Sequence, residues 1–269
     1  MIKMNSQDDQ SEELFMPEAE FSDVQLNLEF ADSSEDFKPE IETLAGAFWA
    51  QTPHSELAFE LAKIVSAQPE IGTVACGDDS AVLGYHSIIN LGQHMHISAI
   101  EALFDLLLNA LEEYKDTLPP AKLFWQRLKA GTVCLGFLTT GRYTNLPMSA
   151  IAAFYQVVKD DIEWASSAKY NSSTPSHLFK FTHILYITKA VLKDTEPSMN
   201  QTTGCTTNPL NRLKKRSLAR PEDTTIIECS LFTLLVPASL GSFTCWVISV
   251  LDLAGYLRVS KALADEDFD

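Results

Sequence analysis

His94 and His96 flank Met95, with His86 eight residues before the first of them. Residues two apart share one face of a strand, so this pair could present two imidazoles to one metal ion. Zinc needs a third and a fourth ligand. The nearest acid, Glu101, is already spent on a capping pattern, Ser98-Ala-Ile-Glu101. The histidines are therefore read as structural, and no metal is expected. His54, His177 and His183 fall on presumed helices with no acid or nucleophile at a readable spacing. The chain has no Gly-x-Ser-x-Gly, no phosphate-binding Gly-x-x-x-x-Gly-Lys and no Gly-x-Gly-x-x-Gly. Cys76, Cys134, Cys205, Cys229 and Cys245 are widely spaced, with no Cys-x-x-Cys among them. That pattern implies a reducing compartment and no disulfide framework. No catalytic residue and no cofactor is nominated.

One motif invites closer reading. Gly77-Asp78-Asp79, preceded by Thr73-Val74-Ala75-Cys76, resembles over about seven residues the Gly-Asp-Asp turn of viral RNA-dependent RNA polymerases. There, paired carboxylates on a hairpin hold catalytic magnesium, which two-metal phosphoryl transfer requires. A further metal-binding aspartate is needed upstream. Here the upstream aspartates, Asp23, Asp32 and Asp36 among them, lie in a polar terminal stretch. The chain is also too short for a polymerase hand, and the expectation is a solvated turn.

Charge is the stronger signal. The 269 residues carry a formal net charge of −16. Residues 1–40 hold twelve acids against Lys3 and Lys38, a net of −10, and Asp265, Glu266, Asp267 and Asp269 add −4. The 41–264 body is left at −2. One basic cluster stands out, Arg212, Lys214, Lys215, Arg216 and Arg220, and a loop position would expose it. It reads as a plain solvated loop, as a contact for nucleic-acid phosphates or nuclear import, or as a clamp on an acidic tail of this chain or a neighbour. The acidic N-terminal stretch carries Leu14, Phe15, Phe21, Leu26, Leu28 and Phe30, which suit a partner's basic-rimmed apolar groove. No apolar leader follows Met1-Ile2-Lys3, so no secretory signal is expected.

These groups must be positioned by the periodic segments. Pro39 opens a helix that ends near Ala50. Thr52-Pro53 caps a second with Leu57, Leu61, Ile64 and Val65 on one stripe. Residues 71–89 read as a small hairpin or loop around Gly77–Ser80. Further helices are expected from Ser98 to Pro119, from about 120 to Gly131, and after Pro147. A last one carries Leu178, Phe181, Leu185, Thr188 and Leu192 on one face. Residues 194–224 hold Pro197, Pro209 and Pro221 and no aromatic residue, which reads as an exposed linker. The 229–251 run has no formal charge, which suits either a buried pair of segments joined at Pro237 or a membrane span.

The expected fold is mainly α, a multi-helix body with one small β-hairpin near 71–89. The expected organisation is an acidic disordered tail at 1–38, a helical lobe at 39–193, a polar and basic linker at 194–224, an apolar element at 225–263 and an acidic tail at 264–269. The leading function is a non-enzymatic intracellular interaction or assembly protein, cytoplasmic or nuclear, with protein partners that include itself. Two alternatives stand beside it: a nucleic-acid scaffold, such as a viral nucleoprotein or coat subunit using loop 212–220, and a membrane-associated protein using 229–251.

Overall fold

The computed structural model describes residues 27–50, 52–78, 80–167, 174–192, 216–238 and 244–265. Its centre is an eight-stranded mixed sheet, which overturns the mainly α expectation. The strands are β1 (Glu29–Asp32), β2 (Gly72–Cys76), β3 (Val82–Asn90), β4 (Leu135–Arg142), β5 (His183–Leu192), β6 (Arg216–Leu218), β7 (Phe232–Pro237) and β8 (Thr244–Asp252). Their order is β1-β2-β3-β4-β5-β8-β7, with β6 beside β5. All neighbours are antiparallel except β4 and β5.

Helices α1 (Lys38–Trp49), α2 (Leu57–Ser66), α3 (Ser98–Tyr114) and α4 (Pro119–Lys129) cover one face through Ile41, Leu61, Leu107 and Phe124, packed on Tyr85, Phe137, Leu185 and Ile248. On the other face lie α5 (Met148–Ala165), α6 (Asp223–Cys229) and α7 (Leu253–Asp265). Their Tyr155, Val158, Ile226 and Tyr256 meet Ile88, Leu138, Ile184 and Tyr186. A sheet covered on both faces explains the misread segments. His183 to Thr188 is buried without a break, so the two-residue alternation of a half-exposed strand disappears. Leu178, Phe181, Leu185, Thr188 and Leu192 then fall at helical spacing by coincidence, although the β-branched and aromatic Ile184, Tyr186 and Ile187 favour a strand.

The other corrections are local. The expected hairpin near 71–89 is real, but it is β2 and β3 of the large sheet rather than an appendage. The expected capping box is absent: Ser98 is the first helical residue, Ile97 holds the cap position, and no side chain bonds there. The 229–251 run is the end of α6 followed by the β7–β8 hairpin, so it is not a membrane span. Among the described residues no helix is long and apolar enough to cross a membrane.

Candidate functional site

The site begins where the parallel pair parts. β4 and β5 are in register from Leu135↔His183 to Leu138↔Tyr186 and no further. β4 continues against β3 to Arg142, and β5 continues against β8 to Val191↔Thr244. A crevice therefore opens at the carboxyl ends of two parallel strands, the place where open α/β sheets commonly bind ligands. Here the chain fills it with its own residues 216–223. β6 pairs with β5 as Ala190↔Leu218, and the Ala219 N–H donates to the Lys189 carbonyl at 3.1 Å. Arg220 Nη2 donates to the Thr140 carbonyl of β4 at 2.9 Å, so the segment is bonded to both strands. Its guanidinium reaches through the sheet. Nη1 lies 3.4 Å from Tyr186 Oη on one face, while the guanidinium carbon stands 5.1 Å from the Phe48 ring on the other.

A buried charge cluster fastens this plug. Asp223 is fully buried and accepts from Tyr186 Oη at 2.5 Å, Thr188 Oγ1 at 2.8 Å and the Arg220 N–H at 2.9 Å. Burial pushes its carboxyl up to about 6, against the opposing pull of the Arg220 charge, so at neutral pH it is an anion held by three donors. Glu222 pairs with Arg142 at 2.6 Å, the two side chains being 2% and 7% exposed. Next to them, His86 Nε2 lies 3.3 Å from Tyr256 Oη. Burial, reinforced by Arg220 and Arg142, drives the His86 imidazole down to about 3 and keeps it neutral. Arg142 is paired with the Glu222 carboxylate, Arg220 lies in the field of Asp223 and Glu222, and the Tyr256 hydroxyl beside the neutral His86 is itself kept protonated by burial. Burial also raises the thiols of Cys76, Cys134 and Cys229, which keeps them protonated. The cluster's chemistry is that of a clamp.

Beside the plug, on the face of α1, lies a cavity of about 890 Å³. Val191, Thr244, Trp246 and Ser217 form its floor, and Ala50, Thr52 and Pro53 of the α1–α2 connection form a wall. Lys189 borders it, with its Nζ bonded to the Phe48 carbonyl and 5.3 Å from the centre of the Trp246 ring. A second hollow of about 410 Å³ holds Lys63, Gln68, Glu70, His94 and His96. The rings of His94 and His96 are 6.3 Å apart, and burial, then His96, lowers the His94 imidazole. His86 packs against α5 and α7 instead, and among the described residues no three metal-ligating side chains converge. Asp78 of the Gly-Asp-Asp stretch is exposed on the β2–β3 turn, closed by Ser80 N–H to the Gly77 carbonyl at 2.9 Å.

The basic cluster divides. Arg220 is half-buried with its guanidinium turned into the crevice, and the Arg216 backbone belongs to β6. Arg212, Lys214 and Lys215 lie outside the described residues, as do Leu14, Phe15, Phe21 and Leu26. Leu28 and Phe30 pack within the body, Phe30 edge-on to Phe154 with ring centres 5.3 Å apart. Sequence reasoning missed Arg142, Tyr186, Glu222 and Asp223. The one local hint is the charge density of Arg220-Pro-Glu-Asp223, inside a stretch that reads as linker.

Among protein families, the one described as BCCIP matches residues 23–228. Among solved structures, the chain is similar to BCP1 from Saccharomyces cerevisiae, known from a crystal structure. The identity is 13% and the TM-score 0.61, over 96% of this chain and 95% of that one. At that identity the likeness concerns the fold. No curated protein matches the chain.

Proposed function

The chain belongs to the BCCIP family, and from that premise we propose that it is a non-enzymatic intracellular protein-binding protein of the cytoplasm or nucleus. Members of the family are intracellular and bind proteins. The observation that carries the non-enzymatic part is the filled crevice. Among the described residues, the one place where parallel strands part is bonded shut by Ala219 and Arg220 and locked through Asp223 and Glu222. A substrate there would have to break an enclosed ion pair, which costs about 3–5 kcal/mol.

The open ground for a partner is the surface of the body. The test is affinity capture of the full chain from cell extract, with and without ribonuclease and deoxyribonuclease. A stoichiometric protein partner that survives nuclease supports the proposal. Capture that disappears with nuclease replaces it with the nucleic-acid scaffold.

A further inference from the structure

The longest interval of the chain without an Asp or Glu is residues 117–159, although the whole carries 36 of them. It contains α4, whose only charged residues are Lys122, Arg127 and Lys129, all three exposed. Lys122, Gln126 and Lys129 fall at i, i+4 and i+7 on the solvent side, and Leu123 and Arg127 form the adjoining row one turn apart. Leu123, 50% exposed, therefore sits between Lys122 and Arg127 on the helix surface. The inner side of α4 is anchored by Phe124, its ring 5.0 Å from His183 and 5.6 Å from Phe232. Those are the first residues of β5 and β7, so the face stands at the other end of β5 from the plug. Trp125 holds one flank, with the Lys115 and Lys129 ammonium groups 4.8 Å and 5.7 Å from its ring centre. Lys122 has Asp116 at 3.9 Å, whereas neither Arg127 nor Lys129 forms an ion pair among the described residues.

We propose that the α4 face binds a short acidic segment of a protein partner, one that carries an apolar residue to cover Leu123. This rests on the protein-binding reading above and adds the chemistry of the partner. Charge complementarity selects the acid, because carboxylates supply Arg127 and Lys129 with the counter-charges that the body withholds. Leu123 selects a protein segment over nucleic acid. A phosphate backbone serves the cations but leaves an apolar side chain in their midst uncovered. A long polyanion also meets the field of a chain at −16, whereas a short peptide meets chiefly the local one, within a Debye length of about 8–10 Å.

Fluorescence anisotropy of the full chain with a labelled peptide tests it. The peptide has about ten residues, Glu and Asp around two Leu, enough when extended to cross the ~16 Å of α4. Wild type binds it, and about 0.5 M salt removes most of that binding. Full-length Arg127→Glu with Lys129→Glu binds it about tenfold more weakly or worse. Leu123→Ser weakens binding about threefold and leaves its salt dependence unchanged. Lys63→Glu with Lys261→Glu makes the same change of net charge at exposed sites on α2 and α7, and stays within about twofold of wild type. Melting temperatures show whether the variants are folded, and Arg127→Gln with Lys129→Gln carries the same test at smaller amplitude if the reversal melts early. Absence of binding by wild type, or equal weakening by the two double reversals, overturns the proposal. So does a labelled single-stranded RNA that binds more tightly than the peptide and is lost in the α4 variant, which gives the face to nucleic acid. A protein partner captured equally by wild type and by the α4 variant overturns this assignment and leaves the protein-binding reading standing.

Discussion

Arg142 and Glu222 stand 80 residues apart in the chain and 2.6 Å apart in space, both nearly withdrawn from water. Arg142 ends β4, and Glu222 precedes α6, so their contact ties the plug to the strand from which it holds β5 apart.

That pair should behave as a buried ion pair. Glu222→Leu or Arg142→Met alone leaves one uncompensated charge and lowers unfolding free energy by about 3–5 kcal/mol. Arg142→Met with Glu222→Leu removes both charges and recovers most of the loss, as replaced buried pairs commonly do. Urea unfolding of the four proteins completes the cycle. Additive losses in the double variant would mean that the two residues do not act as a pair.

The buried tyrosines divide by their partners. Tyr186 Oη donates to Asp223, whereas Tyr155 Oη, equally buried, has no hydrogen-bond partner among the described residues. Tyr186→Phe strips one of three donors from a buried carboxylate and costs about 1–3 kcal/mol. Tyr155→Phe removes a polar atom that has no partner there and is neutral or mildly stabilising. Thermal unfolding of both variants checks the contrast, and similar losses would contradict it.

How far this arrangement was legible in the sequence depends on contact range. α1, α3, α4 and α5 each begin or end near a proline or glycine that the sequence displays, such as Pro39, Pro119, Gly131 and Pro147. Each has a one-sided stripe, so local periodicity sufficed. β5 has no such asymmetry, because Leu185 packs toward one helical layer and Tyr186 toward the other. Removing its alternation turned a central strand into an apparent helix and the whole fold into an apparent bundle. The plug was less legible still. Arg220 and Arg216 share one basic run, and only the parting of β4 from β5, set by pairings across the sheet, turns the Arg220 guanidinium inward. Phe30 shows the same limit: it reads as a tail residue until Phe154, far along the chain, meets it.

Gly141 marks where α1 crosses β4. A Cβ there would lie 2.5 Å from Tyr85 Cε1 and 2.9 Å from the Leu44 backbone carbon. Tyr85 is anchored through its hydroxyl to Thr139 Oγ1 at 3.0 Å, so neither neighbour yields easily. Gly141→Ala therefore overpacks the layer and destabilises by about 1–3 kcal/mol. Gly46→Ala, on the same helix with open space around the added carbon, serves as the control. It is neutral to stabilising, since alanine outranks glycine inside a helix. Denaturant midpoints of the two variants should move in opposite directions or differ by most of that amount.

Asp161 carries the clearest pH dependence. It sits half-buried on α5, where its Oδ2 accepts from the Gly72 N–H at 3.3 Å. Burial raises its carboxyl to about 6, the Gly72 bond works against that rise, and Asp32 and Asp160 add to it. The folded chain thus binds this proton more tightly than the unfolded chain, whose carboxyl titrates near 4. Its contribution to stability is full below the unfolded value and falls away as pH rises through about 6. Solvent reaches the group, so the effect is screened to about 1 kcal/mol. Asp161→Asn removes the ionisation and keeps an acceptor for Gly72. The variant should match wild type at pH 4 and exceed it by about 1 kcal/mol at pH 8. Melting temperatures across that range test the sign. A variant that loses stability relative to wild type as pH rises would show that the carboxylate is stabilised in the fold.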